Sequence, residues 1–194
     1  MVDIVRDVEF DSEHQAKSAL DRGDSTRALE ILMNVYGNAV YRYCCRMMRD
    51  AELAKDVLQT TFLQAFKDCQ SFRDKSSIRT WLFGIAYHRC LDAMKSRRRK
   101  DHRCDPIELV EEPVDTADGP EYTTTMSEFS SALVACLDEL DPQVRAPLLL
   151  RFQAECTYPE IAAICRTRAA TLQARVARAM PLLRQCLERK GVRR

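Results

Sequence analysis

The chain has 194 residues, 46% of them apolar and 30% charged, with five glycines, seven prolines and a net charge of +1. That is enough apolar material for a core and too few turn residues for a β-sandwich or barrel. No apolar run approaches the ~20 residues of a membrane span, so a soluble, mostly helical chain without membrane insertion is expected. The acidic amino terminus, with Asp3, Asp7, Glu9 and Asp11, lacks the basic and apolar regions of a secretory leader and predicts a cytoplasmic protein.

In chain order, Asp24-Ser25 offers an N-cap to a helix reaching about Met48, with Leu29, Leu32, Met33, Tyr36, Val40 and Tyr43 on its apolar face. A second helix, from about Ala51 to Phe66, sets Ala54, Leu58, Phe62 and Phe66 on one stripe, with Val57 and Ala65 beside it. Glu52, Asp56 and Gln59 share a polar stripe opposite, which reads equally as the wet side of the helix. A polar loop, Ser71 to Lys75, precedes a third helix that begins after Ser76-Ser77. That helix turns Ile78, Leu82, Ile85, Ala86, Cys90 and Ala93 inward and ends in Arg97-Arg98-Arg99-Lys100.

Cations interleaved with an aromatic are what single-stranded nucleic acid requires, because cations track phosphates and rings stack on unpaired bases. Phe72 and Trp81 fit that role, and fit equally well as core plugs. Residues 105–127, with prolines at 106, 113 and 120 and carboxylates that have no basic neighbour, read as an acidic flexible linker. The domains are accordingly expected at 1–104 and 128–194.

Beyond the linker a helix is expected around Glu128–Glu139. Asp141-Pro142 then caps a helix through Leu148, Leu149 and Phe152, and Thr157 with Glu160 forms a capping box before Ile161, Ala162 and Ile164. A turn at Cys165-Arg166-Thr167 leads to a last helix with Leu172, Val176, Ala179 and Leu183 inward and Thr171, Gln173, Arg175 and Arg178 outward. This is a helix-turn-helix pattern whose outward arginine and glutamine suit guanine and adenine in a major groove.

Charge segregates along the same divisions. Residues 73–104 carry a net +7, residues 105–141 carry −11 with no basic group, and residues 142–194 carry +8. Two basic blocks on either side of an acidic stretch point to two sites for a polyanion. The nine cysteines include no Cys-x-x-Cys pair and there are only three histidines, so reduced thiols serving as small hydrophobes are expected, with no metal and no cofactor. Cys44, Cys45 and Cys104 are the candidates for a sensing role. No nucleophile has a recognisable base, so the chain is read as non-enzymatic.

The stretch Ala51 to Phe62, then Ser71-Phe72-Arg73, then Ser77-Ile78-Arg79-Thr80-Trp81-Leu82 with Ile85-Ala86 and Asp92, resembles the second domain of bacterial RNA polymerase sigma factors of the extracytoplasmic-function group. Leu137 to Leu140, Leu148 to Arg151, Tyr158 to Ala162 and Thr171 to Ala179 resemble their fourth, promoter-reading domain. The likeness runs in order from about Ala16 to Glu188. It implies an all-α fold of two small helical domains and a sigma factor that directs transcription initiation. The alternative is a stand-alone helix-turn-helix regulator, which has no need of the polar stripe or the melting loop.

The resemblance implies that Glu52, Asp56 and Gln59 face core RNA polymerase. It assigns Phe72, Arg73, Lys75, Arg79, Trp81, His88, Arg89, Arg97 and Arg98 to promoter DNA at the minus-ten element, and Arg166, Arg168, Thr171, Gln173, Arg175 and Arg178 to the minus-thirty-five element. It implies a linker threaded through the RNA exit path and an anti-sigma factor as a further partner. Arg166 departs from the family's turn glycine, Gln173 and Ala174 from a lysine and serine, and His88 from an asparagine. Met180-Pro181 interrupts a helix that is usually continuous.

Overall fold

The structure is a computed structural model and describes residues 2–72, 76–101 and 124–192. Its elements are α1 (Val2–Asp21), α2 (Ser25–Met48), α3 (Ala51–Asp68), a 3-10 turn (Cys69–Ser71), α4 (Ile78–Asp101), α5 (Thr124–Asp138), α6 (Pro142–Phe152), α7 (Tyr158–Cys165) and α8 (Ala169–Arg189). There is no strand among the described residues. Arg73, Lys75, Cys104 and the linker up to residue 123 lie outside them. The helix expected around Glu128–Glu139 begins earlier, since α5 starts at Thr124.

The local signals at Asp24, Asp141 and Thr157 act as read, and Asp50 adds a cap that the sequence analysis did not name. Asp24 accepts the Arg27 N–H at 2.9 Å and Asp50 accepts that of Leu53 at 3.0 Å, so α2 and α3 open on capped donors. Asp141 caps α6 through Gln143, with Pro142 at its first position. At α7 the Thr157 N–H donates to Glu160 Oε2 at 2.7 Å, while the Glu160 N–H reaches back to the Thr157 hydroxyl.

Burial corrects the expected faces. On α3 the interior stripe is Ala54, Val57, Thr61, Phe62 and Ala65, while Leu58 is half-buried and Phe66 is exposed. Thr61 can face inward because its hydroxyl donates to the Val57 carbonyl at 2.7 Å and carries no unmet polar group into the core. Met33 and Phe152 are exposed as well. Phe83, which the periodicity passed over, is fully buried and meets Tyr43 edge-on with ring centroids 5.6 Å apart.

α1 has no counterpart in the sequence reading. It docks through two small residues, Ala16 and Ala19, both fully buried, and through the Tyr36 hydroxyl, which donates to Glu13 Oε1 at 2.6 Å.

Pro181 lies inside α8 and does not end it. Proline removes one backbone hydrogen bond, but here it projects into solvent, and Ala179, Leu183 and Cys186 hold the helix from the buried side. Cys186 is joined to Cys136 of α5 by a disulfide, contrary to the expectation of reduced thiols throughout. Cys44 and Cys45 are interior residues, and no thiol at either position is set out on the surface.

Arg166 ends α7 with φ of 51°, in the left-handed region, so it occupies a position where a side chain is strained and glycine is not. Arg166→Gly is therefore expected to stabilise the fold by roughly 0.5–1 kcal/mol, read as a rise of a few degrees in the melting temperature. An unchanged or lowered value would mean that the exposed arginine makes up for its backbone strain.

The two helical units are packed together. Buried residues from Ala16 in α1 to Cys186 in α8 form one connected apolar cluster. The contact runs from α2 to α5 and α6, and from α4 to α7.

Candidate nucleic-acid interface

The polar stripe of α3 is on the surface: Glu52, Asp56 and Gln59 are all exposed. Glu52 pairs with Lys55 at 2.6 Å, an exposed ion pair of small worth. Continuing at the same helical spacing, Leu63 and Phe66 are also exposed, and Phe66 joins Leu29, Met33 and Phe62 around a shallow groove between α2 and α3. The sequence reading assigned Phe66 to the core and so missed this apolar extension. The signal was present in the three- and four-residue steps from Asp56 to Gln59, Leu63 and Phe66.

Phe72 ends the 3-10 turn in extended backbone and packs against Trp81 of α4, with ring centroids 5.1 Å apart and planes tilted by 47°. Both rings are half-buried against the core, so each serves as a plug and keeps an exposed edge. Arg79 and His88 lie on the part of α4 that meets the second unit. The Arg79 guanidinium donates to the Gln153 carbonyl at 3.3 Å and sits 3.4 Å from Glu155 Oε2. His88 is held below its ordinary pKa, first by burial and then by the positive charge of Arg166, so its ring is neutral at pH 7.

Farther along α4, Arg89 pairs with Asp92 at 3.4 Å and Arg97 with Asp50, the cap of α3, at 3.5 Å. Arg98 and Arg99 are exposed. At 1.5 Å per residue, the cations from Arg79 to Arg98 are spread over roughly 28 Å of helix.

On α8 the expected reading face divides. Thr171, Gln173 and Arg178 are exposed and Arg175 is half-buried. At about 100° per residue, Thr171, Arg175 and Arg178 lie within roughly 60° of one another, whereas Gln173 points to the opposite flank. The Arg178 side chain folds back to the Ala174 carbonyl at 3.1 Å, and Arg166 and Arg168 are exposed in the turn before the helix.

The thiols of Cys45, Cys90, Cys156 and Cys165 are poorly suited to redox chemistry. Burial pushes Cys45 and Cys165 up and takes Cys156 to about 11. Cys90 is raised first by its hydrogen bond with Cys44 and then by burial. Protonated interior thiols are weak nucleophiles. Among the described residues, no cluster of three histidine, cysteine or acidic side chains is placed to hold a metal, and no helix is long and apolar enough to cross a membrane.

Residues 32–100 match the Sigma-70 region 2 family and residues 130–183 match the family described as Sigma-70, region 4. The chain is 34% identical over 178 residues to the ECF RNA polymerase sigma factor SigG of Mycobacterium tuberculosis, which covers 80% of this chain and 47% of that relative. It therefore spans about half the length of that curated relative. It is 35% identical over 138 residues to the RNA polymerase sigma factor YlaC of Bacillus subtilis, covering 71% of this chain and 79% of that protein. The fold is similar to that of the sigma factor RpoE from Bartonella quintana, solved in complex with the anti-sigma factor NepR, with a TM-score of 0.64, 21% identity, and coverage of 80% of this chain and 94% of that one.

Proposed function

The chain belongs to the extracytoplasmic-function sigma factors of RNA polymerase, and from that premise we propose that it binds core RNA polymerase and directs transcription initiation at selected promoters, with minus-ten melting. The observation that carries this reading is the exposed Asp56–Gln59 stripe of α3 in the same chain as the basic flank of α8. A stand-alone regulator would need the second feature alone.

On this reading Glu52, Asp56 and Gln59 meet the polymerase. Phe72, Trp81 and the cations of α4 hold the minus-ten strand, with Arg73 and Lys75 assigned to it from their motif. Thr171, Arg175 and Arg178 enter the major groove of the minus-thirty-five element, with Arg166 and Arg168 at its phosphates and Gln173 on the far flank. The chain acts in the cytoplasm, catalyses no reaction itself, and has an anti-sigma factor as a further partner. Transcription from a promoter library by core enzyme, with and without the chain, tests the reading. Selected transcripts are expected only when it is added, and their absence would reject it.

The two basic regions are expected to separate in DNA binding. Arg175→Ala and Arg178→Ala should each relax base preference by ~1–3 kcal/mol. Neutralising Arg98 and Arg99 should weaken binding across sequences and flatten its salt dependence by about one unit of slope per lost phosphate contact. A uniform loss in the Arg175 and Arg178 variants would make those residues phosphate contacts.

A further inference from the structure

α5 and α8 meet along a seam in which residues 50 apart face one another. Cys136 is bonded to Cys186. One turn on, Glu139 Oε2 accepts from Arg189 at 3.0 Å, with Lys190 Nζ 3.8 Å from Oε1. One turn back, Leu133 and Leu183 line a single apolar groove. The two helices therefore run parallel here, and the bonded cysteines are buried between an exposed ion pair and an apolar contact. Cys186 Sγ lies 3.4 Å from Glu139 Oε1. A bonded sulfur has no proton to give that carboxylate, whereas a thiol donates to it, so this contact favours the dithiol over the bond.

The end of α8 depends on the same seam. Pro181 leaves the Ala177 carbonyl without its helical donor, and beyond it α8 buries Leu183 and Cys186. The eight residues from Leu182 to Arg189 are fewer than the ~12–15 that stand as a helix by themselves. Released from α5, they fray back toward Arg178, the last cation of the reading flank.

We propose that Cys136 and Cys186 are a reversible oxidation site whose oxidant is a low-molecular-weight disulfide, and that the bond sets the reading helix for DNA. The second part rests on the sigma-factor reading above. In the reducing cytoplasm of that reading, two thiols stay unbonded until the pool of small disulfides rises. The Cys186 thiolate, under the exposed Glu139, attacks one sulfur of the small disulfide and releases one small thiolate. The Cys136 thiolate then displaces the second from the mixed disulfide and closes the protein bond. The two protons of the protein thiols pass to the two released thiolates, so the protein pair is oxidised and the small disulfide is reduced to two thiols. Glu139 is a positioning residue, holding the reduced pair by a hydrogen bond that the oxidised pair lacks.

The full chain is equilibrated in glutathione buffers poised across the cytosolic range, and the bond is counted by alkylation and mass spectrometry. It is expected to form and open reversibly within that range. Glu139→Gln, which keeps the shape and weakens the acceptor, should shift the balance about tenfold toward the bond, about 30 mV for a two-electron couple. With core enzyme and the promoter library, the oxidised chain should give at least fivefold more of the selected transcripts than the reduced chain. The double variant Cys136→Ala, Cys186→Ala should give the reduced level in both buffers, which excludes an effect on the polymerase; the wild-type comparison stands whether or not that variant folds. A bond that stays closed, or stays open, across the whole range would overturn the oxidation site, and an unchanged balance in Glu139→Gln would remove Glu139 from it. Equal transcription from the two forms overturns the setting of α8 and leaves the sigma-factor reading standing. Selected transcripts from neither form overturn that reading, and the setting of α8 with it.

Discussion

Replacing Asp56 with arginine is expected to reduce transcription with core RNA polymerase by thirtyfold or more and to leave helical content unchanged. The side chain is exposed in the second turn of α3, two residues before the half-buried Leu58 and one before the buried Val57, so reversing its charge disturbs no packing. At a protein interface, a central charged contact turned repulsive costs at least ~2 kcal/mol, which is that factor of about thirty. Gln59→Ala should lose less, since it removes hydrogen bonds without adding repulsion. Glu52→Ala should lose least, because Glu52 is already engaged by Lys55. Pull-down of core enzyme and multiple-round transcription measure the series. Full core binding by the Asp56 and Gln59 variants would move the polymerase contact off this face.

Reduction of the Cys136–Cys186 bond, or Cys186→Ser, is expected to lower stability by about 4 kcal/mol, because the bond closes a sequence separation of 50 residues in the unfolded chain. For a chain of this size that corresponds to a melting temperature lower by roughly 10 °C. The loss should concentrate in the second unit, where the bond ties α5 to α8 beside Leu133, Leu183 and Leu187. Thermal melts with and without dithiothreitol measure the effect, and the crosslinked peptide by mass spectrometry establishes the bond. Coincident melts of a chain shown to carry the bond would mean that apolar packing alone holds α5 on α8.

Much of the fold was legible because helix starts are local events. Asp24, Asp141 and Thr157 each cap a helix through a donor no more than three residues away, so three starts were read from short windows, and Asp50 caps α3 in the same local way. The inward set of α8, Leu172, Val176, Ala179 and Leu183, was equally legible, since its 3.6-residue repeat is undisturbed and all four residues are buried. α1 was not, because the buried residues described in its second half, Ala16 and Ala19, pack closely without adding much hydrophobic signal.

The candidate site was legible only as residue types on helices. Spacing placed Asp56 and Gln59 on one face of α3 and Arg175 and Arg178 on one flank of α8, and both placements follow from helix geometry alone. Whether a face meets solvent depends on which neighbour arrives. Phe66, expected inward, is exposed and Thr61 is buried because α2 and α4 reach α3 on the Val57–Thr61–Ala65 side, and the Thr61 hydroxyl is satisfied within its own helix.

By itself, the sequence determined the helices, their caps, the segregation of charge into two basic blocks and the motifs of the family, all of which act within a few turns of backbone. Tertiary structure alone decided the Cys136–Cys186 bond and the closure of the α6–α7 turn onto α2 and α4. Arg46 and Gln153 are 107 residues apart, Ala39 and Gln153 are 114 apart, and Thr80 and Glu160 are 80 apart. A hydrogen bond between such distant residues leaves no periodicity in either segment. It forms only once packing of the apolar faces has met the entropy of bringing the segments together.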